Sequence, residues 1–285
     1  MASSNNLTEE QIEALEVQYG LDKPIIVRYA LWLADVARGD KGTSTRTYKP
    51  VSDMIAERIG PTLILTCTSL VLCLIVSLPL GVFAALKPGG KIDAVASGVA
   101  FGGTSVPSFF LGLLAIYLFA VKLNLLPTGG MYDSVTDKTL LSLIRHLIMP
   151  ATIMAFSMTG DFIKQTKGSM LEVLNDEHVK TARSKGLKES RVVVMHILRN
   201  ALIPIITCLS FAVPLLFGGS VVIEKIFNWP GLGSLMVLSI ESRDYNAIMG
   251  ITVLIAIAVM VANILLDILY ARLDPRIAKE GAKGA

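Results

Sequence analysis

The sequence is poor in charge, in cysteine and in aromatic residues, and each shortage removes a class of protein. Only 17% of the 285 residues are Asp, Glu, Lys or Arg, against about 25% in an average soluble domain. That argues against a soluble globule. Disorder needs low hydrophobicity and high net charge, whereas 53% of this chain is apolar and its net charge is +3. So small a charge gives no electrostatic footing for a nucleic-acid partner. Three cysteines (Cys67, Cys73, Cys208) sit inside apolar stretches without CxxC or metal-type spacing, and they read as small buried hydrophobes.

Catalytic signatures are missing too. No G-x-x-x-x-G-K-[ST] occurs: Gly90-Lys91 has Ala85 and Ile92 where the first glycine and the hydroxyl residue belong. HExxH is absent, and His146, His178 and His196 fall near span or loop boundaries, where structural roles are simplest. Gly160-Asp161 matches half of an intramembrane aspartyl-protease motif without a second membrane aspartate in context. Asp161 and Lys164, three residues apart, are expected to pair locally. Asp267, with Asn263 one turn earlier, is expected to be a helix-end group.

What is present is apolar length. Gly60–Leu86, Ala94–Val121, Asn200–Ile223 and Tyr245–Leu266 contain no Asp, Glu, Lys or Arg, and Leu140–Ile163 is interrupted only near its ends. A membrane helix needs about 20 mostly apolar residues, so the expected fold is all-α and integral to a membrane, with five transmembrane helices.

Loop charge orients them. One side receives Lys87, Lys91, eight basic residues from Lys164 to Arg199, and four from Arg272 to Lys283. The other receives Lys122, Lys138, Arg145, Lys225 and Arg243. The positive-inside rule places the richer side in the cytoplasm, so the C-terminus is expected inside and the N-terminal segment outside. Nothing visible before Thr8 would carry a polar segment across the bilayer, so a transmembrane helix is expected to be missing from the start of the chain. The expected division is an extracytoplasmic helical segment at 1–54, a transmembrane domain at 55–271 and a cytoplasmic tail at 272–285.

Within that frame, Thr8–Tyr19 and Pro24–Val36 read as short amphipathic helices, and Gly39–Thr45 as a turn-rich link. Val51–Ile59 reads as a helix near the interface. Pro79, Gly81, Pro107, Pro214 and Gly218-Gly219 are breakers inside spans, and Gly98-Val-Ala-Phe-Gly102 permits close helix approach. The external segment Glu224–Tyr245, with Phe227-Asn-Trp-Pro-Gly-Leu-Gly, is too apolar to be solvated and is expected to fold back as a gate or cap. An interfacial aromatic anchor is the alternative. Candidate pathway or gate residues are Pro107, Phe211, Pro214, Phe217, Trp229 and Gly231, the route being lined by the second, fourth and fifth spans with Phe211, Pro214 and Phe217 on it.

The longest inside loop, 164–200, predicts helix, a tight turn at Gly186, then helix running into the fourth span. A short rigid basic helix beneath a bundle suits docking in a partner's groove. A loop that only sets orientation is the plainer alternative.

Particular residues extend this. Asp176-Glu-His-Val-Lys-Thr-Ala-Arg-Ser-Lys-Gly-Leu-Lys followed by His196-Ile-Leu-Arg-Asn-Ala-Leu-Ile-Pro204 resembles the EAA loop of bacterial ABC-importer permeases, in the variant of the dipeptide/oligopeptide/nickel group. Tyr19-Gly-Leu-Asp-Lys-Pro, Gly39-Asp-Lys-Gly, Ser105-Val-Pro-Ser-Phe, Glu224-Lys-Ile-Phe-Asn-Trp-Pro-Gly-Leu-Gly and Leu273-Asp-Pro-Arg resemble the same group in order and spacing. The chain departs from the general motif at Lys180-Thr181-Ala182, where Glu-Ala-Ala is usual, and the family's first transmembrane helix is expected to be missing ahead of the segment matching Thr8–Asp40.

The resemblance implies the type I ABC-importer permease fold, six-spanning in the family, in the cytoplasmic membrane. It implies a transport subunit, not an enzyme, with no cofactor of its own. The implied partners are a second homologous permease, two ATPase subunits, a solute-binding protein and the lipid bilayer, with a peptide as the family-level favourite substrate. The implied coupling residues are Glu177, Lys180, Thr181, Ala182, Arg183, Lys185 and Gly186, with Thr181, Ala182 and Gly186 closest to the ATPase. A channel or ion-driven carrier is the competing class and would not need the 164–200 loop.

Overall fold

The computed structural model describes residues 23–134, 136 and 138–273. The expected helix at Thr8–Tyr19 and the tail beyond Leu273 lie outside the described residues. Among those described, regular structure is helical, apart from a single bridge between Thr43 and Pro50.

Helix α1 (Ile25–Ala37) buries no residue. Gly39 and Gly42, at φ +94° and +79°, then turn the chain back, a conformation glycine adopts without steric cost. Helix α2 (Val51–Leu86) has 36 residues, about 54 Å at 1.5 Å per residue, well beyond a hydrocarbon core of about 30 Å. Residues Val51–Ile59, expected as a helix near the interface leading into the first span, are continuous with it. Those residues are the first turns of the span itself, with Val51 and Ile55 buried against Leu232, Leu235, Ala247 and Ile251. The division expected between residues 54 and 55 falls inside this helix.

The second apolar run is broken. Helix α3 (Lys91–Ser105) and helix α4 (Ser108–Ala115), which continues as a π-helical turn over Ile116–Lys122, meet at 99°. Pro107 is the cause. Its ring pushes the preceding residue out of the helical region, and Val106 is extended at φ −97°, ψ 123°.

Helix α5 (Leu140–Leu174) starts at Thr139, whose hydroxyl accepts from the Ser142 N–H at 3.3 Å. It is the centre of the bundle, with Phe162, Ile163 and Met170 almost wholly buried. Small residues set its approach to α3: a Cβ on Gly103 would strike the Phe156 carbonyl, and one on Gly160 the Ala100 carbonyl. The close contact therefore lies at Gly103 and Gly160. Gly98, half of the expected GxxxG pair, has open space around it.

Helix α6 (Glu177–Ser184) is followed by α7 (Glu189–Arg191), a π-helical turn over Val192–Leu198 and α8 (Arg199–Ile226). The last three form one continuous 38-residue rod, Glu189–Ile226. Helix α9 (Leu232–Glu241) and helix α10 (Tyr245–Leu273) complete the described chain.

Among the described residues, four helices are long and apolar enough to cross a membrane, and the bent α3–α4 pair, taken as one span, makes a fifth. Phe101 and Phe109 of that pair, and Met260, Ile264 and Leu265 of α10, are exposed. Hydrocarbon, unlike water, accepts such a surface. Of the cysteines, Cys73 is buried as expected, whereas Cys67 is exposed on α2.

Candidate functional site

At the basic end of the bundle, α6 lies as a short rail fixed from above. Val179 and Ala182 are 0% and 5% exposed and pack with Ala85, Met170, Val192 and Ile197. The other face is open: Glu177, Lys180, Thr181, Arg183 and Lys185 are all exposed. Glu177 in the first turn and Arg183 in the last complement the helix dipole. Gly186 turns the chain at φ +74°, exposed and with nothing within 4 Å of a Cβ placed there. Its need for glycine is thus conformational and owes nothing to crowding.

Past the turn, Arg183 grips Glu189 with two hydrogen bonds, Nη2 to Oε1 at 2.6 Å and Nε to Oε2 at 3.2 Å. Accepting those bonds, the Glu189 carboxylate raises the guanidinium's already high pKa further. His178 Nε2 lies 3.0 Å from the Asn200 side-chain amide, which also donates to the His196 carbonyl. The hairpin is thereby tied to the 38-residue rod at two places. Two sequence readings change here. Ala182, expected at the outer contact, faces the chain's own core and anchors the rail. The π-helical turn at Val192–Leu198 has no signal in the sequence.

The opposite end holds a buried polar knot. Glu224 is fully buried on α8. Its carboxylate accepts from the Thr62 hydroxyl and from the Ser234 N–H, each at 2.8 Å. The Thr62 oxygen in turn accepts from the Leu232 N–H at 2.7 Å, and Trp229 Nε1–H donates to the Pro61 carbonyl at 2.9 Å. A Cβ on Gly231 would collide with that carboxylate, and one on Gly233 would lie 2.6 Å from the Val221 Cα. Trp229 and Phe227 are buried in the main core, and the Gly130 N–H donates to the Phe227 carbonyl at 2.7 Å. The Phe227–Gly233 segment thus folds back on the bundle. Trp229 and Gly231, expected in the pathway or its gate, are packed inside this knot.

Beside it, the N-terminal link is tied down: the Ser44 hydroxyl donates to Asp244, and the Asn246 amide donates to the Thr43 carbonyl at 2.8 Å.

Between the two ends, a cavity of about 470 Å³ opens at the α3–α4 break, lined by Thr104, Val106 and Ser108 on one wall and Ser157, Asp161 and Lys164 on the other. Pro107, exposed, makes the break but does not line the cavity. Pro214 is exposed and Phe217 half-buried on α8, away from it; the side chain of Phe211 lies outside the described residues. Asp161 and Lys164 form no ion pair with each other, contrary to expectation, and neither makes a hydrogen bond among the described residues. The nearby charge pair that does close is Asp93 with Lys167, at 2.5 Å.

No group of three or more His, Cys, Asp or Glu that could hold a metal occurs among the described residues. A broken second span, a buttressed basic helix and a segment folded back on the bundle make up the site. The chain belongs to the binding-protein-dependent transport system inner membrane component family, the match running over residues 77–279.

It is a multi-pass cytoplasmic-membrane protein, the permease subunit of an ABC importer. ATP hydrolysis resides in a separate subunit, and a solute-binding protein works with it. Among its relatives is the oligopeptide transport system permease protein AppB of Bacillus subtilis, 44% identical over 91% of this chain and 83% of that protein. Another is the glutathione transport system permease protein GsiC of Escherichia coli K12, 38% identical over 93% and 84%. The fold is that of the permease in the inward-facing MetNI methionine ABC transporter, with a TM-score of 0.61 at 17% identity, covering 78% of this chain and 96% of that one.

Proposed function

We propose that this permease serves a peptide importer, pairs with a second homologous permease, and receives each ATPase stroke through the rail Glu177–Gly186. The supporting observation is the two-sidedness of α6. Val179 and Ala182 hold it to the bundle while Lys180, Thr181, Arg183 and Lys185 stand free. A partner pushing on the free face moves a stiff body, because the same hairpin is tied to the 38-residue rod that crosses the membrane. In this reading the basic end is cytoplasmic and residues 1–54 are external. The Trp229 end then receives substrate from the solute-binding protein.

Peptides follow from the relatives, whose names specify oligopeptide and glutathione transport. The test is co-purification from detergent with the neighbouring permease and ATPase gene products. The wild-type chain retains both ATPases, and Gly186→Val, strained at φ +74°, loses them while keeping the second permease. Transport driven by an ion gradient without ATP would refute the reading.

A further inference from the structure

The cavity at the α3–α4 break combines features that ordinary packing does not explain. Its polar groups are two opposite charges, Asp161 and Lys164, with the hydroxyls of Thr104, Ser108 and Ser157; Met154 and Met158 supply much of the apolar wall. Ionisable groups inside membrane helices are costly and are usually paired or functional. One turn further along α5, the chain pairs such groups: Lys167 and Asp93 close at 2.5 Å with side chains only 28% and 12% exposed. Asp161 and Lys164 are left open to a shared space. They are three residues apart on one helix, near enough to bind one small molecule together.

The remaining lining narrows the ligand. The Thr104 hydroxyl donates to the Ala100 carbonyl and the Ser157 hydroxyl to the Met154 carbonyl, so both present free lone pairs to N–H donors in the cavity. Helix α4 begins at Ser108, where its first N–H groups have no intrahelical acceptor and favour negative charge. Methionine walls accept apolar groups of varied shape. The volume, about 470 Å³, lies within the roughly 300–1,000 Å³ typical of small-molecule sites. Gly103 and Gly160 fix the two walls by letting the α3 and α5 backbones touch.

We propose that this cavity is a stepping site for a short zwitterionic peptide. Asp161 takes its ammonium group, Lys164 its carboxylate, and the hydroxyl oxygens accept from its backbone N–H groups. The inference rests on the peptide-importer reading above and extends it to a place inside the permease.

The test uses the assembled importer carrying Ser157→Cys, with the native cysteines replaced by serine. Modification of the introduced thiol by a small thiol reagent is followed by mass spectrometry. Trialanine is expected to slow the modification. Asp161→Asn or Lys164→Gln should each raise the protecting concentration about tenfold, the loss of one charge-assisted hydrogen bond. N-acetylated trialanine should distinguish wild type from Asp161→Asn poorly, since its ammonium is gone. The charge-reversed double variant Asp161→Lys/Lys164→Asp should recover protection relative to either single reversal. Equal protection in all variants, or none at any soluble concentration, overturns the site. ATP hydrolysis stimulated by the binding protein, measured on the same preparation, keeps the two ideas apart. If stimulation persists without protection, the site fails and the importer stands; if no ATPase assembles, the importer reading itself fails.

Discussion

The Thr62 hydroxyl donates to the buried Glu224 carboxylate at 2.8 Å while its oxygen accepts the Leu232 N–H at 2.7 Å. One side chain therefore joins α2, α8 and the start of α9. Thr62→Val keeps the shape and removes both bonds, leaving the buried Glu224 carboxylate short of one donor and the Leu232 N–H without its acceptor. The expected cost is about 1–3 kcal/mol, read as a lower apparent Tm of the purified importer, with ATPase binding unchanged. A Tm equal to wild type would show the knot to be incidental.

Gly231→Ala should be worse than its size suggests. The added Cβ collides with the Glu224 carboxylate, and moving that carboxylate aside breaks its bonds to Thr62 and Ser234 in a buried site. Loss of folded protein from the membrane, measured by size-exclusion profile, is expected. Gly98→Ala, with nothing within 4 Å of the new atom, should leave the profile intact.

The Arg183–Glu189 pair is bidentate but exposed, with side chains 41% and 58% accessible. Exposed pairs contribute about 0–1 kcal/mol. Glu189→Gln should accordingly leave Tm within about a degree or two of wild type. If the rail carries the ATPase stroke as proposed, the less restrained turn at Gly186 should lower the ratio of transport to ATP hydrolysed. An unchanged ratio would remove the pair from the coupling path.

Much of the fold is legible in the sequence because membrane helices announce themselves by length. The five apolar runs locate the spans, and Pro107 marks the break, since a proline ring forces its neighbour out of the helix. Gly186 and the apolar spacing around Val192–Leu198 indicate the helix, turn and rod at the basic end. The failures have a common cause. Which face of a helix turns inward is decided by tertiary neighbours, so sequence alone puts Ala182 on the outside. Asp161 and Lys164 have the spacing of a pair, and only the structure shows them lining a cavity at the α3–α4 break without closing on each other. Glu224 reads simply as part of an external segment, because nothing local reveals that Thr62, 162 residues earlier, binds it.

Coupling through α6 requires its outward face to grip a motor subunit. The variant Thr181→Cys, in an importer whose native cysteines have been replaced, tests this with a short bifunctional thiol crosslinker. The expected result is a covalent product with the ATPase subunit whose yield changes when ATP binds. Reaction with a water-soluble thiol reagent should also be slower when the ATPase is present. Equal reactivity with and without the ATPase, and no crosslink in any nucleotide state, would contradict coupling through this face.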